Sequence, residues 1–417
     1  MKTSGLAARE LAPGHDIFVA RQPILDVNQV VVGYELLFRS GTENACFGVS
    51  STLASSRVIH DAVNVFGFDT LGQGKKVFIN VDRAVLLSDL LFALPPATTV
   101  VEILETVVPD LEVAAACRKL QQAGYTIALD DFDDQPGWDT LVRLADIVKI
   151  DFLLTRGKDR VEPFERSRNR RAVLLAEKVE TEADFLQAKE LGYELFQGYF
   201  FCRPEMLQSR QLEASKLGCM RLIEAVSRTQ LDLKQIESLF QAEPALAVKL
   251  LRYLNSPAFA WQREVKSLKD ALRTLGERPL RRWVSMMALA GLGSDRPEEL
   301  ITTALVRARL CEGLAEACHL GGREEELFLL GLLSLIDALL AAPLQEALDR
   351  LSLSAQVRAA LVDGKGQLVK VLQLVVSYER ADWTLFSKLC GELRLPEEAI
   401  PEAHRAAIVW VCEQRSI

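Results

Sequence analysis

The sequence has few of the residues that build the commonest transition-metal and disulfide sites. Its 417 residues include four histidines and eight cysteines, and both types are dispersed along the chain. No two cysteines form a Cys-x-x-Cys pair, which argues against a zinc site and favours reduced thiols in the core. We therefore expect a cytoplasmic protein without a disulfide framework or a histidine-rich metal centre.

An excess of positive charge and a membrane-spanning segment are also lacking. The net charge of −8 argues against a large nucleic-acid-binding face, so we expect no DNA partner. No apolar signal region follows Met1, and residues 1–15 are expected to form a flexible arm. The apolar run at residues 327–344 contains Asp337 and Pro343, so we expect one buried core helix there and no membrane partner.

The clearest positive signal is the stretch at residues 126–132, which has strand character and ends in two adjacent acids, Asp130 and Asp131. Two carboxylates about 4 Å apart repel by about 4 kcal/mol at an effective dielectric constant of about 20. A positive charge is therefore expected between them, and a divalent cation is the natural candidate.

The same design recurs along the first half of the chain. Apolar runs end at or near polar side chains, and helical patterns at residues 111–123 and 181–191 lie between several of the runs. Repeated strand–helix units of this kind predict a closed barrel, in which chemistry gathers where the strands end. The polar side chains concerned are Glu35, Asn80, Glu102, Lys149, Glu177 and Gln197.

The first predicted strand runs against the others. The runs at residues 16–25 and 29–38 are separated by only a few residues, whereas a parallel crossover needs about a dozen or more. The fold class is therefore α/β followed by all-α, with a modified (β/α)8 barrel that has one antiparallel strand. Its eight predicted strands are residues 22–25, 34–38, 77–80, 100–104, 126–130, 147–151, 174–178 and 195–200.

The second half of the sequence shows helical periodicity to its end. We predict a barrel domain at residues 16–204, a linker or connecting helix at 205–215 and an all-helical domain at 216–417. Trp261 and Trp283 are expected to lie in the helical core. The basic pair Arg281-Arg282 is interpreted either as a solvated pair or as a contact for a partner or a nucleotide.

Eight ordered motifs in the first half resemble those of a known family. Residues 16–204 resemble an EAL domain, the family that hydrolyses or binds cyclic di-GMP, and residues 211–417 resemble an HDOD domain. The motifs are Gln22-Pro23-Ile24, Tyr34-Glu35-Leu36-Leu37-Phe38-Arg39, Phe78-Ile79-Asn80, Glu102-Ile103-Leu104-Glu105, Leu129-Asp130-Asp131-Phe132, Val148-Lys149-Ile150-Asp151, Ala176-Glu177-Lys178-Val179-Glu180-Thr181 and Gln197-Gly198-Tyr199.

The resemblance implies a complete set of site residues. Lys149 and Gln197 would position and deprotonate a water, Gln22 and Arg39 would contact the substrate, and Glu105 would anchor the loop after Asp131. Oxygen ligands suit the hard cations Mg²⁺ and Mn²⁺, and the product would be the linear dinucleotide. The implied ligands of one or two such ions are Glu35, Asn80, Glu102, Asp130, Asp131 and Glu177.

The sequence departs from the EAL pattern in two places. The loop at residues 133–138 reads Asp-Asp-Gln-Pro-Gly-Trp, where active members carry a glycine- and serine-rich segment. The segment between Glu35 and Asn80 is short and lacks the usual proline-containing substrate lobe. In the second half, His319 and His404 each stand without a neighbouring aspartate, whereas an active HD-type metal centre needs several histidines and a His-Asp pair.

These features predict a signal transduction protein. The divergent EAL barrel is expected to act as a nucleotide- and metal-binding or regulatory module, and the non-catalytic HDOD domain is expected to contact a protein partner. Two alternatives stay open at this point, namely an active Mg²⁺- or Mn²⁺-dependent cyclic di-GMP phosphodiesterase and an interaction scaffold without nucleotide. The oligomeric state is also left open.

Overall fold

The chain folds into a closed β-barrel followed by a helical domain. The computed structural model describes residues 17–40, 71–130, 137–155, 160, 172–202, 214–228, 230–242, 276–349, 351 and 353–415. The predicted arm at residues 1–15, most of the predicted linker, Asp131 and Trp261 lie outside these ranges.

The barrel consists of eight strands paired in sequence order, with the last strand closing onto the first. The first strand runs antiparallel to both of its neighbours, and the other pairs are parallel. The prediction of a barrel with one reversed strand is confirmed. The strands are β1 (Ile17–Asp26), β2 (Val31–Ser40), β3 (Lys76–Val81), β4 (Thr99–Ile103), β5 (Thr126–Leu129), β6 (Ile147–Asp151), β7 (Val173–Glu177) and β8 (Leu195–Gln197).

A tight turn reverses the chain between β1 and β2. The Asp26 carboxylate accepts hydrogen bonds from the backbone N–H groups of Asn28 at 2.8 Å and Val30 at 2.9 Å. Gln29 takes a left-handed conformation with φ of 60°. Such a side-chain-to-backbone turn leaves no room for a crossover, so the two strands pair antiparallel.

Strand β8 is shorter than predicted because Gly198 ends it. Gly198 has a φ of +147°, and a Cβ atom at this position would lie 2.1 Å from the carbonyl oxygen of Val179. The backbone leaves the sheet there and continues into a 3₁₀ turn at Phe200–Cys202. The predicted strand at residues 195–200 therefore ends at Gln197.

Three of the described barrel helices begin at side-chain caps. Asp110 accepts from the N–H of Val113 at 2.9 Å, and Thr181 accepts from the N–H of Asp184 at 3.1 Å. Acceptors at these positions satisfy backbone donors that a helix start leaves free. The predicted helices at residues 111–123 and 181–191 are confirmed. The described helices are α1 (Arg83–Leu86), α2 (Leu111–Gln122), α3 (Asp139–Leu144) and α4 (Glu182–Glu190).

The inside of the barrel has an apolar layer below its polar rim. Along a strand, residues two positions apart face the same side, so Phe78 shares a side with Asn80 and Val100 shares one with Glu102. These apolar side chains form one buried cluster that gives the rim a rigid floor. Its buried members are Ile24, Phe78, Val100, Ala128, Ile147 and Leu175.

The second half of the chain is helical, as predicted. None of the cysteines that the structure describes there forms a disulfide, and Trp283 is buried in the core. Helices of this domain are α5 (Ala214–Ser227), α6 (Leu233–Ala242), α7 (Glu277–Leu292), α8 (Glu298–Gly313), α9 (Glu324–Leu333), α10 (Ile336–Leu340), α11 (Leu344–Asp349), α12 (Ala355–Val362), α13 (Gln367–Glu379), α14 (Trp383–Leu393) and α15 (Ala399–Arg415).

The prediction of one core helix over residues 327–344 is wrong, because the chain breaks twice in that run. The Ser334 hydroxyl donates to the carbonyl of Gly331 at 2.7 Å where α9 ends, and Ala341 is left-handed with φ of 50° where α10 ends. Most apolar residues of the run are buried, as expected for a core segment. Among the residues described, no helix combines the length and apolar character that a membrane crossing requires.

The helical domain packs against the outer face of β1 and β2. The Tyr378 hydroxyl on α13 donates to the carbonyl of Val19 at 2.9 Å and accepts from its N–H at 3.2 Å. The Tyr34 hydroxyl on β2 donates to Glu299 on α8 at 3.2 Å. Both halves of the molecule therefore meet along strands that also carry barrel-rim residues.

A buried histidine at this domain contact gives the protein a pH-dependent stability. His404 on α15 is 8% exposed and lies against the Tyr378 ring at 5.1 Å between centroids. Burial, with a smaller effect of Arg21, lowers the pKa of His404 to about 3. Since an unfolded histidine has a pKa of about 6.5, acid protonates the unfolded chain first, and the folded state loses about 1.4 kcal/mol per pH unit between those values.

We expect His404→Gln to remove the loss of stability that protonation of this histidine causes in acid. Urea unfolding of the wild type at pH 7.5, 6 and 5 should show stability falling below pH 6.5, and the variant should show a shallower fall. His319→Gln, at an exposed position, is the control and should follow the wild type. Equal slopes for the wild type and His404→Gln would contradict the prediction.

Candidate functional site

Each barrel strand carries, within it or directly after it, one polar side chain of a cluster on the inner rim. The register places Asn80 of β3 opposite Glu102 of β4, and Gln22 of β1 opposite Glu35 of β2. Glu177 and Gln197 are the last residues of β7 and β8, and this is the rim where parallel barrels hold their reactive groups. The rim cluster comprises Gln22, Glu35, Asn80, Glu102, Asp130, Lys149, Glu177 and Gln197.

Lys149 lies at the centre of the rim cluster. Its ammonium group is 2.5 Å from the Glu177 carboxylate, 3.1 Å from Asp130 and 3.3 Å from Glu35, and it also contacts Glu102. The lysine side chain is 1% exposed. One buried cation is thus shared by four carboxylates.

One ammonium group cannot balance four ionised carboxylates. Burial alone would lower the pKa of Lys149, but the surrounding acids, Asp130 and Glu102 first, outweigh it and raise that pKa well above its usual value. Burial and the nearby Glu35 raise the pKa of Glu102 well above its usual range. The rim therefore retains an excess of negative charge that further cations would relieve.

Side-chain amides hold Glu35 in place. One of its oxygens accepts from the Asn80 amide at 2.7 Å, and the other accepts from the Gln197 amide at 2.6 Å. The Gln197 amide also donates to Gln22 at 2.9 Å. Glu35 is therefore fixed by strands on both sides, an arrangement that limits the reorganisation needed to bind a ligand.

Several buried oxygens of the rim cluster have no hydrogen-bond partner among the described residues. They are Oδ1 of Asn80, Oε2 of Glu102 and Oε1 of Gln197. Carboxylate oxygens of Glu35, Glu102 and Glu177 also lie within 4.8 Å of one another. Buried hydrogen-bond acceptors without a partner lower the stability of the folded state. As metal ligands, however, oxygen atoms at this spacing fit a hard divalent cation.

Comparisons with known proteins place this architecture in a family. The family model described as EAL domain matches residues 76–204, and the one described as HDOD domain matches residues 218–384. The chain is 35% identical over 397 residues to the cyclic di-GMP phosphodiesterase CdgJ of Vibrio cholerae, which covers 94% of this chain and 92% of the relative. The chain belongs to the EAL-HDOD family.

The comparisons also found one more protein sequence and several solved structures. The uncharacterized protein YuxH of Bacillus subtilis is 31% identical over 402 residues, covering 94% of this chain and 98% of the relative. Among solved structures, the Bacillus subtilis YkuI protein in complex with cyclic di-GMP and calcium has 20% identity and a TM-score of 0.37, covering 63% of this chain and 71% of its own. The Klebsiella pneumoniae BlrP1 complex with manganese and cyclic di-GMP has 22% identity and a TM-score of 0.36, covering 46% and 57%.

Of the remaining predicted EAL site residues, Glu105 lies apart from the rim cluster. Glu105 lies two residues beyond the end of β4, is exposed, and makes no hydrogen bond or ion pair with another described residue. The position of Asp131 and the side chain of Arg39 are outside what the structure describes. The loop that Glu105 was expected to anchor, residues 131–136, is also outside the described residues, so that role stays a prediction.

Two tyrosines that connect the EAL rim to the HDOD domain were not predicted as functional. Tyr34 adjoins Glu35 in β2 and bonds to Glu299, while Tyr199 follows Gln197 by two residues and donates to the carbonyl of Glu379 at 3.0 Å. The alternation of β2 indicates that Tyr34 faces outward, since Glu35 faces inward. Both residues belong to the ordered motifs, but only the alternation of β2 indicates an outward contact, and it does so for Tyr34 alone.

Proposed function

We propose that this protein is a divalent-metal-dependent phosphodiesterase that hydrolyses cyclic di-GMP to the linear dinucleotide. The observation that carries the proposal is the preformed rim cluster, with four carboxylates around one lysine and unpartnered buried oxygens beside them. The identity to CdgJ over nearly the whole chain supports it. The sequence alone favoured a non-hydrolysing module, whereas the intact geometry favours turnover.

Oxygen ligands for the cation come from most of the barrel. A bound Mg²⁺ or Mn²⁺ would lower the pKa of a water molecule bound to it and would offset the negative charge of the phosphodiester. Gln22 and Arg39 are proposed to hold the substrate, because an amide and a guanidinium group both suit phosphate and guanine acceptors. The proposed ligands are Glu35, Asn80, Glu102, Asp130, Asp131 and Glu177.

Lys149 is proposed to act first as a positioning residue. Its raised pKa keeps the ammonium group protonated among the acids, so it donates hydrogen bonds rather than accepting a proton in this state. Lys149 can release a proton only when other cations bind the carboxylates and so reduce the attraction that raises its pKa. Gln197, which bonds to Glu35 and Gln22, would orient the nearby groups.

The HDOD domain is proposed to contact a protein partner and to take no part in hydrolysis. Within the described residues, the metal-compatible group of side chains is the barrel set Glu35, Glu102 and Glu177. Of the two histidines in this half, His319 is exposed and His404 is buried against Tyr378. Neither arrangement offers the clustered imidazoles that an HD-type centre needs.

Cyclic di-GMP turnover by purified protein in Mn²⁺, followed by chromatography of the nucleotide, tests the proposal. We expect the wild type to form the linear dinucleotide and Glu35→Ala to form none, because the variant loses a carboxylate that two amides and Lys149 hold in place. Glu402→Ala, an exposed acid paired with Arg405 on α15, should retain activity.

Other outcomes of this experiment would reject turnover in different ways. Binding of cyclic di-GMP without product would identify a receptor, the interpretation that the altered loop at residues 133–138 favoured. A chain that bound neither Mn²⁺ nor cyclic di-GMP would instead be an interaction scaffold. Product formed equally by Glu35→Ala would rule out the rim cluster as the site.

A further inference from the structure

The HDOD domain contains a second cavity, distant in the fold from the barrel rim. Its volume is about 500 Å³, within the range of small-molecule sites in proteins. The walls come from the end of α5, the first half of α7 and the start of α9. Its charged lining residues are Arg228, Arg278, Arg281, Arg282, Arg323, Glu324, Glu325 and Glu326.

Positive charge is crowded on one side of this arginine-lined cavity. A single buried carboxylate, Glu312, is 3.4 Å from Arg278 and 2.6 Å from Arg309, and it also contacts Arg282. One carboxylate can neutralise one of these three cations. Burial and the neighbouring Arg278 and Arg309 accordingly lower the pKa of Arg282 to about 10.

Glu326 of α9 pairs with Arg323 at 2.7 Å, and Arg281 pairs with Glu277 on its own helix at 2.6 Å. The other two glutamates of α9 compensate the remaining charge weakly. Glu324 lies 3.9 Å from Arg278, and Glu325 lies 3.7 Å from Arg281. Both separations exceed hydrogen-bonding distance, and solvent screens such pairs. Arg281 also has a structural role, since it donates to the carbonyls of Val226 and Arg228 where α5 ends. Arg278 and Arg282 are therefore the side chains best placed to bind an anion.

Another part of the cavity lining is apolar. Val226, Phe328, Leu329 and Leu353 also line the cavity, and the aromatic ring of Phe328 is held in a buried position. A guanidinium cluster suits phosphate groups, whereas an apolar and aromatic surface suits a planar ring. The cavity thus combines the two chemistries that a nucleotide presents.

We propose that this cavity binds a nucleotide with two or more phosphates, held by Arg278 and Arg282, with its base against Leu329 and Leu353. The site is separate from the barrel rim and does not rest on the phosphodiesterase proposal. The two residues of the basic pair Arg281-Arg282 then have different roles. Arg281 binds the backbone carbonyls at the end of α5, and Arg282 contacts the ligand.

Calorimetric titration of the full chain with ATP and with GTP in EDTA tests this site. We expect binding to the wild type and about tenfold weaker binding to Arg278→Gln, since one charge-assisted hydrogen bond is lost. Arg278 is 48% exposed, so its replacement should leave the fold intact, which a melting curve checks. Arg405→Gln, on an exposed ion pair of α15, and Glu35→Ala at the barrel rim should bind like the wild type.

The same titrations can overturn the proposal. Absence of ATP and GTP binding by the wild type, or equal affinity in Arg278→Gln, would remove the site. Loss of binding in Glu35→Ala would assign the nucleotide to the barrel instead. Pyrophosphate binding as tightly as both nucleotides would show that the apolar wall contributes nothing and would reject a nucleotide as the ligand.

Discussion

Lys149→Met is expected to lower the free energy of unfolding by about 3–5 kcal/mol in EDTA, which is the usual cost of breaking a buried ion pair by removing one partner. The four carboxylates that now share the ammonium group, three of them within 3.1 Å of it, would be left to repel one another. Methionine preserves the apolar stem of the lysine, so the change isolates the charge.

A divalent cation should restore much of that stability. If the rim cluster binds Mn²⁺, adding it should raise the melting temperature of Lys149→Met by more than it raises that of the wild type. Thermal melts with EDTA and with Mn²⁺ measure both effects. Lys119→Met, which breaks an exposed pair with Asp89, is the control and should melt close to the wild type. A wild-type melting temperature for Lys149→Met in EDTA would contradict the prediction.

Gly198→Ala is expected to be the most damaging single-methyl change near the site. The new Cβ would lie 2.1 Å from the Val179 carbonyl oxygen and 2.6 Å from its nitrogen, and φ is +147°. Backbone strain and steric overlap each cost about 1–3 kcal/mol. The backbone would have to move at Gln197, which bonds to Glu35, so we also expect the phosphodiesterase activity to be lost.

Gly192→Ala separates the two contributions. Gly192 also has a positive φ, +95°, but a Cβ there would meet nothing within 4 Å. This control should show the smaller backbone cost alone and retain activity. Chemical unfolding of both variants, with turnover measured alongside, makes the comparison. Equal stability losses at the two positions would show that the contact with Val179 is not the cause.

The barrel and its reversed strand were predictable because they depend on local signals. Apolar runs with polar ends mark the strands, and the few residues around Asn28 do not allow a parallel crossover. The length of β8 depended on the approach of Val179 to Gly198, a contact that strand propensity does not report. The run at residues 327–344 has uniform hydrophobicity, which hides the breaks at Ser334 and Ala341.

The members of the rim cluster could be predicted, but their arrangement could not. Strand ends and ordered motifs indicated Glu35, Glu102 and Glu177, while for Lys149 the resemblance implied only the positioning and deprotonation of a water. In the structure Lys149 is shared by four acids, and Asp151 pairs with Lys178. Strand register and barrel closure determine such sharing, and both are properties of the folded sheet rather than of any one segment.

The bond between Tyr378 and Val19 joins positions 359 residues apart, which has a consequence for biosynthesis. The first strand leaves the ribosome long before α13 exists, so the outer face of β1 and β2 must remain without its HDOD cover during most of translation. Contacts of such high sequence separation slow folding and prolong the exposure of apolar surface. A fragment ending near residue 204 would keep that surface permanently exposed, and we expect it to depend on chaperones or to aggregate where the full chain does not.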